Sequence, residues 1–166
     1  MKKFIVSLLI LGISFPFYSQ KVEQLSEVFI SATNYKYLDK VSSREVAVPV
    51  ELLERKVATF NLKDADFYQD DYDLYQVTFY IPEGKILASY DKEGNILRTA
   101  ERFVDVNLPT KVINAVKERF PNWAISKDIY LVNYHDKKGA KKRYKLKLEN
   151  QDKVLRVKVD ENGDFM

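Results

Sequence analysis

"YQVTFYIPEGKILASYDKEGNIL" (Tyr75–Leu97) and "YKLKLENQDKVLRVKVDENGDF" (Tyr144–Phe165) align over 22 residues without a gap, 69 residues apart. Tyr75 lies against Tyr144, Val77 against Leu146 and Phe79 against Leu148; Ile86 then meets Leu155, Ala88 meets Val157 and Tyr90 meets Val159. Apolar residues recur at every second position on either side of a short polar break, the pattern of a half-buried antiparallel hairpin. "PEGK" and "NQDK" supply the breaks. At the following turn, Gly94 and Gly163 are free to take a positive φ, while Asp91 and Asp160 are placed to accept backbone N–H groups.

The likeness continues upstream at a different offset. "VPVELLERKVATF" from Val48 aligns with "LPTKVINAVKERF" from Leu108, 60 residues on. Each has a proline near its start, where a helix loses no hydrogen bond. Leu53, Val57 and Phe60 fall on one helical face, as do Val112, Ile113, Val116 and Phe120. Pro121 ends the second helix. The segment after it predicts a strand through Tyr134 and a turn around Gly139; the shorter counterpart in the first half predicts a stunted strand around Phe67 and Tyr68. The expected fold is therefore α+β: a tandem repeat of a helix packed on a three- to four-stranded antiparallel sheet, with units at 48–104 and 105–166.

Two stretches precede the repeat. Lys2, Lys3 and the apolar run "FIVSLLILGISFPF" (Phe4–Phe17) predict a signal peptide over residues 1–20, cleaved between Ser19 and Gln20. The run is short of the about 20 residues that a bilayer requires, so no membrane span is expected after cleavage and the location is periplasmic or secreted. About 146 residues then remain, enough for one compact domain or two small ones. Residues 21–47 predict an N-terminal strand, from the alternation of Val28, Ile30 and Ala32, and then a loop or linker.

The closing Phe-Pro of the helix and the Asp-x-x-Gly turns of the strands resemble the PepSY-like, beta-lactamase-inhibitor-like (BLIP-like) domains of exported Bacteroidota-type proteins. The resemblance is best over "LPTKVINAVKERFPNWAI" and "YKLKLENQDKVLRVKVDENGDF", and covers residues 48–166. It implies a tandem helix-on-sheet fold and a protein-binding role. The lactamase inhibitor carries a disulfide in each repeat, whereas this chain has no cysteine and no recognisable inhibitory loop, which argues against lactamase inhibition as such.

Nothing in the residues calls for catalysis. The single histidine, His135, stands beside a turn with no serine or second histidine to complete a catalytic set. Zinc wants several histidine or cysteine ligands, which the chain lacks, and no glycine-rich phosphate loop is present. Asp64, Asp66, Asp70, Asp71 and Asp73 crowd one loop, but without the glycine and terminal glutamate of an EF-hand they read as a solvated acidic loop. No catalytic residue, metal site or cofactor is assigned.

Charge is the more informative signal. Residues 48–106 hold 7 basic and 12 acidic side chains, and residues 107–166 hold 14 and 8, so a chain of net charge +3 is strongly polarised along its length. If Tyr144, Leu146 and Leu148 face a helix, Lys145 and Lys147 face away, as do Arg156 and Lys158 on the next strand. "KKGAKKR" (Lys137–Arg143) extends this basic face at its edge. Ordinary solubilising charge explains such a face as well. The outward positions of the first hairpin are Gln76, Thr78, Tyr80, Leu87 and Ser89, and the exposed Tyr80 and Leu87 suit an interface. The expected function is a non-catalytic exported module that binds an acidic exported protein through Tyr80, Leu87, Lys145, Lys147, Arg156 and Lys158. The alternatives are a self-associating periplasmic protein, acidic half to basic half, and, ranked below it, a hydrolase or transferase. Nucleic acid is not an expected partner, because the first half is acidic.

Overall fold

Tyr75 pairs with Tyr90 in the first hairpin and Tyr144 pairs with Val159 in the second, so the 69-residue offset holds across both strands of each. The computed structural model describes residues 32–42, 45 and 47–166. Its elements are α1 (Ala32–Val41), α2 (Val48–Ala58), a 3-10 turn (Leu62–Asp64), β1 (Leu74–Ile81), β2 (Gly84–Asp91), β3 (Ile96–Val104), α3 (Thr110–Arg119), β4 (Ala124–His135), β5 (Gly139–Asn150) and β6 (Lys153–Asp160). The two equivalent turns are alike in detail. Gly94 has φ +87° and Gly163 φ +95°. Asp91 Oδ1 accepts from the amides of Glu93 and Asn95 at 3.1 and 2.8 Å, and Asp160 Oδ1 from those of Asn162 and Asp164 at 2.8 and 3.0 Å.

The hairpins do not belong to separate units. All six strands form one antiparallel sheet in the order β1-β2-β3-β4-β5-β6, and β3 pairs with β4 from Arg98 opposite His135 to Val104 opposite Ile129. The expected tandem repeat of helix-on-sheet units is therefore corrected to one mostly-strand sheet with three helices. The physical reason is the edge: two three-stranded sheets would leave β3 and β4 with bare hydrogen-bonding groups, and pairing them removes two edges at once. The boundary expected near residue 104 falls within this continuous sheet.

The helical layer also differs from expectation. The stretch read as a loop or linker is the helix α1, and it packs on β3, β4 and β5, while α2 packs on β1 and β2. Asn34, Tyr37, Leu38 and Val41 are buried at spacings of three, four and seven, which is a helical stripe. The Tyr37 ring meets Tyr134 edge-on, with centroids 5.2 Å apart. From α3, Val112 and Val116 are buried, and Phe120 packs edge-on against Phe165 at 5.6 Å. No strand forms at Phe67 and Tyr68; turns follow the 3-10 segment there, and the Tyr68 ring stacks on Tyr75 at 5.4 Å. The signal sequence and the alternation at Val28 and Ile30 lie outside the described residues.

Polar groups are sealed between helices and sheet. Glu54 of α2 is fully buried, and Glu101 and Thr99 of β3 are nearly so. Tyr37 Oη donates to Glu101 Oε1 at 2.9 Å, and Thr99 Oγ1 donates to the same oxygen at 2.6 Å. Among the described residues neither Glu54 oxygen has a hydrogen-bond partner. Lys142 of β5 is buried in the same layer, with Nζ 3.5 Å from Glu161. Burial pushes the Glu54 carboxyl well above its usual range, Glu101's charge adds to this, and Lys142 opposes it. Burial also raises Glu101, against the hydrogen bonds from Thr99 and Tyr37 and the charge of Lys142. An acid whose folded-state pKa is raised stabilises the fold fully below its unfolded value, and that contribution is lost as pH rises through the folded value. Thermal stability is thus expected to fall as pH increases from about 4.3 through neutrality. Glu54→Gln should flatten that slope in melting curves; an unchanged slope would place the ionisation elsewhere.

Candidate functional site: the outer face of the sheet

The face away from the helices is built by strand alternation. Tyr144, Leu146 and Leu148 are buried under the helical layer, which turns Lys145 and Lys147 outward. Antiparallel register sets Lys145 directly opposite Lys158 and Lys147 opposite Arg156. Lys145, Arg156 and Lys158 are exposed and Lys147 is half-buried. The block widens on β4, where Lys127 stands opposite Lys147. Among the described residues Lys147 pairs with Glu149, while Lys127, Lys145, Arg156 and Lys158 form no ion pair.

The first half of the chain adds cations of its own. Lys85 lies opposite Arg102, Arg102 opposite Leu131 and Leu131 opposite Arg143, one row across four strands. Arg98 adds another on β3. The six residues expected to bind a partner all lie on this face, but only the four cations are brought together. Tyr80 pairs with Lys85 at the β1 edge, and Leu87 pairs with Thr78; with strands about 4.8 Å apart, Tyr80 stands roughly 19 Å from the β5 lysines. Tyr80 is 69 % exposed and Leu87 37 %. Between them and the cation block, Ala100, Leu131, Ile129 and Val104 make an apolar strip from β3 and β4.

Two corrections concern charge. Lys142, expected on the basic edge with its neighbours, turns inward and is buried. The polarity along the chain is also not a polarity of the outer face, since Lys85, Arg98 and Arg102 carry the positive field into the acidic half. These three residues and the apolar strip are functional candidates the sequence reading missed. Arg98 and Arg102 alternate with Thr99, Glu101 and Phe103, and the two inward polar residues hide the strand's apolar periodicity. His135 ends β4 with Nδ1 2.6 Å from Asp136 Oδ1, and the same oxygen accepts from the Lys137 amide at 2.8 Å. In the acidic loop, Asn61 donates to Asp64 at 2.7 Å and Asp73 lies 3.7 Å from Lys92; among the described residues no three acidic or histidine side chains gather as a metal site.

Like charges directly opposite on adjacent strands destabilise a sheet by about 0.2–1 kcal/mol per pair. The Lys145–Lys158 and Lys147–Arg156 pairs are therefore a standing cost to the fold. Lys158→Glu should raise the urea midpoint, with a gain in unfolding free energy in that range, because it sets opposite charges across from each other. A lowered midpoint would show that the cations are not in mutual conflict.

No family model matches the chain, and no curated protein matches it. Among solved structures the chain is similar to the crystal structure of a BLIP-like protein from Bacteroides fragilis, at 15 % identity and a TM-score of 0.32, over 85 % of this chain and 86 % of that one.

Proposed function

We propose that this chain is an exported, non-catalytic binding module that docks an acidic protein on the outer face of its sheet. The observation that carries the reading is the block of cations at Lys145, Lys147, Arg156 and Lys158, set opposite one another beside a half-buried apolar strip. An apolar centre with a charged rim is the anatomy of a protein interface. Size supports it too: six strands about 4.8 Å apart and eight residues about 3.4 Å apart span roughly 650 Å², close to the about 800 Å² that each partner contributes to a standard interface. Export is inferred from Lys2, Lys3 and the apolar run after them. Among the described residues no helix is long and apolar enough to cross a membrane.

The test is capture from a periplasmic extract, with bound proteins identified by mass spectrometry. Reversing charge at Lys145, Lys147, Arg156 and Lys158 together is expected to release an acidic partner that the unaltered protein retains. High salt should release it as well. An unchanged set of captured proteins would end this reading.

A second reading, self-association, is favoured by the edges of the sheet. The β6 edge is covered at one end, where Phe165 bridges to Val159 and the Met166 amide donates to the Lys158 carbonyl at 3.0 Å. The β1 edge, "LYQVTFYI", has no charge, proline or bulge to discourage pairing. Two copies joined β1 to β1 would form a dimer insensitive to salt, unlike one held by charge. Sedimentation should then show Thr78→Lys, which puts a charge on that edge, to be monomeric. A wild-type protein that stays monomeric at high concentration removes this reading.

A further inference from the structure

The outer face is not uniformly flat. At its β3–β6 end lies an open cavity of about 620 Å³, within the roughly 300–1,000 Å³ range of ligand sites. Val104 and Ile129 form its apolar floor, and Lys145, Lys147, Arg156 and Lys158 surround it. A smaller hollow lined by Leu131, Lys145 and Lys158 lies beside it. Val104 is opposite Ile129, Ile129 opposite Lys145 and Lys145 opposite Lys158. One row thus runs apolar, apolar, cation, cation across four strands. Asp105 and Asp128 also border the cavity, and Asp128 is engaged by the Val106 amide at 3.2 Å.

This arrangement says more than that the partner is acidic. A purely charged ligand would leave Val104, Ile129 and Leu131 against water, and a purely apolar one would bury lysine heads without counter-ions. The methylene stems of the lysines extend the apolar floor while their ammonium groups stay at the rim. The ligand that satisfies both is an apolar side chain with carboxylates close on either side. Resting on the binding role above, we propose that the cavity is the anchor point of the partner: a short acidic segment seats a leucine-like side chain on Val104 and Ile129 and sets its carboxylates against Lys145, Lys147, Arg156 and Lys158. Leu131 continues the floor towards the middle of the sheet, so the segment runs across the strands rather than along one of them.

The experiment uses the full mature chain, methyl-labelled, and a synthetic peptide of two leucines flanked on each side by two aspartates. Binding is expected to shift the methyl resonances of Val104, Ile129 and Leu131. Replacing the leucines with alanine, or the aspartates with asparagine, should each weaken binding by about tenfold. Ile129→Ser, half-buried on the outer face, should weaken the leucine peptide and leave the alanine peptide unchanged; an unaltered circular dichroism spectrum checks the fold. Four results overturn the proposal: no binding by the leucine peptide, equal binding by leucine and alanine peptides, the same methyl shifts with inorganic phosphate alone, or shifts that grow with protein concentration in the absence of peptide, which would make a second copy the occupant. Any of these, with capture of a partner still abolished by charge reversal, would remove the anchor and leave the binding role standing. Loss of the charge dependence of capture would remove the binding role itself.

Discussion

The hydrogen-bonded seam between β3 and β4 is the constraint on which the other features depend. It joins two hairpins that are self-sufficient in their turns and registers, and so converts two small ribbons into one sheet wide enough to carry a helical layer. The same seam sets the rows of both faces. On the outside it aligns Lys85, Arg102, Leu131 and Arg143, and on the inside it sets Glu101 beside Val132, which in turn pairs with Lys142. A slip of one residue at this seam would turn Glu101 and Phe103 outward and drive Arg102 beneath the helices.

The two faces resolve charge in opposite ways. Inside, burial raises the carboxyls of Glu54 and Glu101 above their usual range. Outside, the cations stand opposite one another at close range. A protein shaped by stability alone would replace the buried acids with apolar residues and alternate the signs of the exposed ones. Departures from local consistency of this kind concentrate where function makes its own demands. On the outer face, the acidic partner proposed above would supply the missing negative charge.

Much of this architecture was legible in the sequence, and the illegible parts share a cause. Hairpin turns, strand alternation and the helices that start around Pro49 and Pro109 are encoded over a few residues, and Lys145 and Arg156 follow from their places next to Leu146 and Val157. The seam joins residues such as Arg98 and His135, far apart in the chain, and no local pattern marks it. The helix α1 escaped because its buried stripe has only four members, one of them Asn34, in a segment otherwise full of lysine, tyrosine and aspartate. Thr99, Glu101 and Lys142 escaped because a polar residue in an alternating strand is read as facing water unless a distant partner is known. The turn around Asp136–Lys138 was legible for the opposite reason, since its glycine announces it.

The seat of α1 has a further consequence for how the chain comes to its final form. Among the described residues this helix precedes every strand, yet it packs against β3, β4 and β5, with Tyr37 meeting Glu101 and Tyr134, and Lys36 donating to the Asp136 carbonyl at 2.7 Å. Whichever way the polypeptide is delivered from its amino end, the piece that arrives early must wait for pieces that arrive late. Contacts at such separation close slowly, because a long loop must be ordered before they form. Until those strands are in place Tyr37 lacks Glu101 and Tyr134, which makes assembly of the middle of the molecule the slow step.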